Sequence, residues 1–176
     1  MNNMDSMFAK LEAYIKSNFE SSSRSRPPKI FYSMRPTPNF TPSLVSIAPG
    51  LSQEKINHWI EERTQAPFKE VLFAHIDTKY GGNDAEIYKR AGIDRKLFSK
   101  IRTSDNYIPN KTNVIALVLA LKLAEDEAET LILAAGYSLS PNRRFDLVIR
   151  FCIEYGIYDL MHVNELLYHM GLKTVY

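Results

Sequence analysis

Apolar residues recur at intervals of three and four along most of the chain, the spacing of helices that bury one face. From Asp5 to Asn18 the residues Met7, Phe8, Leu11, Tyr14 and Ile15, continued by Phe19, share one such face. A lone amphipathic helix of this length is marginal in water, so it must pack on the main domain, a sister subunit or another protein. Met7, Phe8, Leu11, Tyr14 and Ile15 are therefore candidates for partner binding. Ser52 can cap a short helix carrying Ile56, Trp59 and Ile60, and Pro67 suits a helix start ahead of Phe68, Val71, Leu72, His75 and Ile76. Gly81-Gly82-Asn83 breaks the pattern. A short helix over Asp84–Ala91 stops at Gly92, and Asp94 can cap the next one, which runs to about Arg102. After a loop from Asn106 to Lys111, the spacing predicts helices over Thr112–Leu123, Glu125–Ala135, Phe145–Tyr155 and Leu160–Met170. No window sustains the period-two alternation of a half-buried strand, and the expected fold is all-α.

One stretch interrupts this regularity. Residues 21–53 contain no Asp or Glu, carry Arg24, Arg26, Lys29 and Arg35, and include Pro27, Pro28, Pro36, Pro38, Pro42 and Pro49. Each proline removes a backbone donor and biases its predecessor away from the helical region, so an extended, mobile arm is expected. Phe31 and Tyr32, with Met34 and Phe40, are unusual in a plain spacer; the stretch reads either as a linker with incidental aromatics or as a docking motif for a protein partner or the chain's own domain.

Composition narrows the class. The chain has 176 residues, 45% of them hydrophobic and 24% charged, enough apolar material for a real core. No apolar run approaches the ~18 residues of a membrane span, and Met1 to Lys10 lacks the basic-then-apolar order of a secretory signal. The single cysteine, Cys152, can form neither an internal disulfide nor a cysteine-based zinc site. These features suggest a soluble cytoplasmic protein with no membrane partner. The balance of 22 Lys+Arg against 20 Asp+Glu says little by itself. Position matters more.

The most informative segment is Asp84–Arg102. A helix-turn-helix needs a small residue where its two helices cross, a left-handed residue in the turn, an apolar residue just after it, and a second helix with one buried face. Ala85 or Ala91, then Gly92, Ile93, and finally Leu97, Phe98 and Ile101 meet these demands in order. The other face of the second helix carries Arg95, Lys96, Ser99, Lys100 and Arg102. From Asp84 to Lys111 seven basic residues face four acids, a net +3.

On these residues, with Thr112, Ile115, Ala120 and Leu121 in the following helix, Phe68–Ala135 resembles the lambda-repressor-like (Cro/XRE-type) helix-turn-helix family, with five helices in the expected order. The run Tyr88–Arg102, with Ala135–Ser140 and Phe145-Asp146, is also similar to uncharacterised bacterial helix-turn-helix proteins, some of which are joined to macro domains. The first resemblance implies that Asp94–Arg102 enters the major groove of double-stranded DNA. Arg95 and Lys96 would then read bases, while Ser99, Lys100, Arg102 and Lys111 grip phosphate. It also implies a homodimer on a palindromic site. Two features depart from the family: Asp84 or Ala85 stands where a polar phosphate-binding residue, typically Gln, is usual, and the Thr103–Lys111 loop is longer.

The expected organisation is an amphipathic helix at 1–20, a linker at 21–51, a helix-turn-helix domain at 52–140 and a C-terminal helical extension at 141–176. That extension has more apolar surface than a hairpin can bury and should pack on the preceding helices or form a dimer interface. The other chemistry-bearing residues have plainer readings. Asp159, His162, Glu165 and His169 share a helix face but read better as a solvated stripe than as metal ligands. Cys152 sits among apolar neighbours, and Glu125, Asp126, Glu127 and Glu129 open a helix where acids favour its dipole. No enzyme signature and no cofactor site are recognisable. The expectation is sequence-specific DNA binding for transcriptional control in bacteria. The alternatives are a non-enzymatic adaptor or regulatory subunit of a bacterial stress or phage-defence system, and single-stranded nucleic acid held by the basic, aromatic Arg24–Phe40 arm.

Overall fold

The computed structural model describes residues 3–24, 52–105 and 107–175. The arm expected at 21–51 lies largely outside these residues, and Phe31 and Tyr32 wholly so. The described residues form nine helices and no strand: α1 (Asn3–Arg24), α2 (Gln53–Arg63), α3 (Phe68–Tyr80), α4 (Asp84–Arg90), α5 (Arg95–Thr103), α6 (Lys111–Ala120), α7 (Glu125–Ala134), α8 (Arg144–Glu154) and α9 (Leu160–His169). None of the helices is long and apolar enough to cross a membrane. The all-α expectation holds.

Local chemistry sets most helix starts. Side chains of Ser52, Asn83, Asp94, Asn110 and Asp159 accept hydrogen bonds from backbone N–H groups of the first turns of α2, α4, α5, α6 and α9. Five helix ends share one device. The N–H two residues past the C-cap reaches back five positions, as in Ile93 to the Tyr88 carbonyl (2.8 Å) and Ile157 to the Cys152 carbonyl (2.7 Å). Leu123, Tyr137 and Leu172 repeat it, each tucking an apolar side chain against the helix it closes. The left-handed residue before the tuck is glycine in four cases. At the α6–α7 turn it is Lys122, with φ of 49°, the one non-glycine residue at positive φ among the described residues.

α6 is the centre of the packing: every residue from Val114 to Ala120 is buried. An all-round apolar helix needs neighbours on all sides. α4, α7 and α9 supply them, with α3 packed on α7 and α8 on both α7 and α9. Leu147, Val148, Phe151, Val163 and Leu166 thus share one continuous core with Leu72, Ile87 and Leu117. α8 and α9 pack on the preceding helices, one of the two outcomes expected for the 141–176 extension, and complete the core begun by α3–α7.

The reading of α1 as a partner-binding helix is corrected in the same way. Leu11 (0% exposed) and Ile15 (4%) are buried in the chain's own core, where α1 packs on α8. Tyr14 meets Phe151 edge-on at 5.4 Å and Phe8 stacks on His169 at 4.1 Å. Burial and a hydrogen bond with Glu154 push the Tyr14 phenol up to about 12. Met7 is half-buried. The apolar face has an intramolecular partner, and each fully buried aliphatic side chain contributes about 1.5–3 kcal/mol to holding it there. The helix also runs to Arg24, past the expected start of the linker.

The described helices divide into two units, α1 with α3–α9 forming the larger. α2 belongs to the other, which corrects the expected 52–140 domain: none of its residues is buried, and Trp59 and Ile60 are exposed. Arg63 lies over the Trp59 ring at 4.6 Å.

Candidate nucleic-acid interface

α5 is positioned by its apolar face. Phe98 and Ile101 are buried, and Phe98 contacts Phe73 of α3 edge-on at 6.0 Å and Tyr88 of α4 at 5.7 Å. Ala91 is buried where the α4–α5 turn begins, and Ile93 anchors the turn's far side. Ala85, the other small residue suggested for the crossing, is exposed.

The polar face divides by what each side chain touches. Arg102, expected on phosphate, is engaged inside the domain: its Nη2 lies 2.5 Å from Asp84 Oδ1, and its guanidinium lies 4.0 Å over the Phe73 ring. It therefore ties α5 to α4 and α3 at once. Asp84, one of the two residues expected at the start of the first motif helix, is the other half of this strut. Lys111 is further committed. Its Nζ lies 2.5 Å from Oδ1 of Asp146, a carboxylate only 1% exposed whose Oδ2 accepts the Ser140 N–H at 2.9 Å. A cation facing a buried carboxylate cannot swing out to phosphate without leaving an uncompensated charge behind. Lys111 and Arg102 thus hold internal carboxylates in this structure, where phosphate contacts were expected of them. Lys100 lies between the two classes, exposed but resting over the Tyr107 ring at 4.0 Å.

Arg95, Lys96 and Ser99 are exposed on the outer face of α5. The acids around them are occupied. Asp84 holds Arg102, Glu86 holds Arg90, Asp105 holds Lys69, and Asp94 accepts the Lys96 N–H as the cap of α5. The Lys69 ammonium keeps the Asp105 carboxyl below its ordinary range. Arg95, Lys96 and Lys89 are left with no carboxylate partner among the described residues. Sequence spacing marked the exposed cations but not the paired ones, since Arg102–Asp84 and Lys111–Asp146 span 18 and 35 positions. No helical period reports such distances.

The remaining candidates are unremarkable chemically. Cys152 is fully buried, and desolvation pushes its thiol up to about 12, the opposite of an activated nucleophile. Asp159 caps α9, His162 lies 3.5 Å from it, and His169 is stacked on Phe8 and 3.8 Å from Glu12. Among the described residues no group of three or more His, Cys, Asp or Glu is placed to hold a metal ion. Set against family models, curated proteins and solved structures, the chain matches none of them.

Proposed function

We propose that the protein binds double-stranded DNA through α5, as a sequence-specific regulator of transcription. The observation that carries this reading is the outward pair Arg95 and Lys96, exposed and without carboxylate partners among the described residues, on a helix whose last-turn Arg102 is paired with Asp84. A helix fixed by an aromatic underside and a strut at its far end can present its first turn to a major groove, and an Arg or Lys there suits guanine O6 and N7. Ser99 and Lys100 continue the same face one turn on, and Lys89 of the preceding helix adds a cation within reach of the phosphate backbone. Neutralised phosphates release counterions, so affinity should fall steeply with salt.

The test is fluorescence anisotropy of the purified chain on a pool of random duplexes at 50 and 200 mM salt, followed by selection of bound sequences. Even without its preferred site the protein should bind at micromolar Kd, within the roughly 10⁻⁴–10⁻⁶ M of non-specific complexes. The Arg95→Ala/Lys96→Ala double variant should flatten the plot of log affinity against log salt by about 1–2 and erase any selected motif. No binding at the lower salt, or a double variant that binds as the parent does, overturns the proposal.

A further inference from the structure

We infer a second binding surface, a recess between α7 and α8 that takes one branched aliphatic side chain of a protein segment carrying Lys or Arg one turn to either side. The recess has a volume of about 50 Å³. Its floor is Ala128, Ile132, Leu139 and Ile153, and Glu125, Glu129, Ser138 and Arg150 form its rim. Leu133, 51% exposed, stands at its edge. The α7 residues involved are spaced i, i+3, i+4, i+7 and i+8, a single helical face, so the recess lies along a groove and not in an isolated pit.

Size decides the kind of ligand. A cofactor or drug-sized molecule needs roughly 300–1,000 Å³, whereas this recess offers about 50 Å³, room for only the end of one side chain. It suits the end of a Leu, Ile or Val that belongs to something larger. Charge decides what surrounds that residue. Arg150 is the one cation on the rim, held by the Leu139 carbonyl at 3.2 Å and lying 4.0 Å from Glu125. Glu129 and the neighbouring Asp126 are exposed and have no cation partner among the described residues. The helix dipole accounts for acids in the first turn of α7, but Glu129 lies beyond that turn. With Glu125 facing Arg150, the rim keeps one net negative charge at Glu129, and the exposed Asp126 nearby adds to it, so a cationic polypeptide suits this face better than a phosphate backbone. An amphipathic helix laid into the groove would place an aliphatic anchor in the recess and basic residues beside Glu125 and Glu129. None of these residues belongs to α5, so this surface and the DNA reading stand or fall separately.

The probe is a synthetic 14-residue helical peptide with a central Leu and Lys or Arg three and four positions away on both sides, titrated into the full chain by NMR or anisotropy. Replacing the central Leu by Ala should weaken binding about tenfold, and replacing the flanking cations by Glu should abolish it. In the protein, Glu129→Lys should weaken the parent peptide at least fivefold, while Arg95→Ala/Lys96→Ala should leave it unchanged. Leu and Ala peptides that bind equally would reduce the contact to charge attraction and overturn the recess. Insensitivity to Glu129→Lys, or loss of binding in the α5 double variant, would place the peptide elsewhere and overturn it too. Self-association of the chain that Glu129→Lys abolishes, seen by sedimentation, would name a second copy as the occupant instead.

Discussion

Replacing Lys111 by Met separates a structural cation from a DNA contact. Asp146 is 1% exposed and keeps only the Ser140 N–H once the ammonium is gone. Removing one partner of a buried ion pair typically costs about 3–5 kcal/mol, because the remaining charge stays desolvated. Lys111 itself is 22% exposed, so some water can reach the site, and the lower end, about 3 kcal/mol, is expected. At roughly 3–5 °C per kcal/mol for a domain of this size, the melting temperature should fall by about 10–15 °C. Urea unfolding followed by far-ultraviolet circular dichroism measures the loss. Replacing both residues, as Lys111→Met/Asp146→Leu, removes the stranded carboxylate and should recover most of it. On duplex DNA, Lys111→Met should keep the parent's salt dependence at temperatures where it is folded. A stability loss below about 0.5 kcal/mol, together with a salt slope flattened by about 1, would show that the ammonium serves phosphate and refute the reasoning.

Lys122→Gly should stabilise the protein by about 1 kcal/mol, read from the same urea transitions, because Lys122 holds a left-handed conformation at φ of 49° that glycine adopts without strain. The Cys152 thiol should resist an aromatic disulfide reagent at pH 8 in the native protein and react stoichiometrically in 6 M guanidinium, since it is fully buried with its pKa raised. Glu127 titrates low because the Lys79 ammonium lies 2.5 Å away and the Ala124 N–H also donates to it. A folded value below the unfolded one means that its stabilisation is present above pH 4.5 and is lost as pH falls through the folded value. Glu127→Gln should therefore lower stability at pH 7 and make acid unfolding below about pH 4.5 less steep.

Much of the fold was legible because its instructions are local. The caps at Ser52 and Asp94, and the tucked apolar residue Ile93, each lie within a few positions of the backbone groups they satisfy. The turn glycine and the buried face of α5 could be read for the same reason. What escaped was contact between distant segments. The α1 face has the same pattern whether Leu11 and Ile15 meet α8 or another protein, and α2 looks as amphipathic on paper as helices that join the core. The internal pairs of Arg102 and Lys111 were not legible because a cation's sequence does not name its carboxylate. The α7–α8 recess was invisible, as it is made of side chains from two helices and a loop.

The distribution of paired and unpaired charge gives a chain of net charge +2 two surfaces of opposite sign. Around α5 the acids are consumed by internal partners and cations remain; along α7 the unpaired groups are Asp126 and Glu129, with Arg150 held at the rim. Each internal pair therefore acts twice, fixing helices to one another and removing one sign of charge from the surface it underlies. The Arg102–Asp84 strut is the clearest case. It clamps α5 against α4 and also cancels a carboxylate beside the face proposed to meet DNA. Exchanging its members, as Arg102→Asp/Asp84→Arg, keeps the pair but moves the cation from α5 to the start of α4. If the strut's purpose is only mechanical, duplex binding survives that exchange unchanged; if charge placement matters, binding shifts by severalfold while the melting temperature stays near that of the parent.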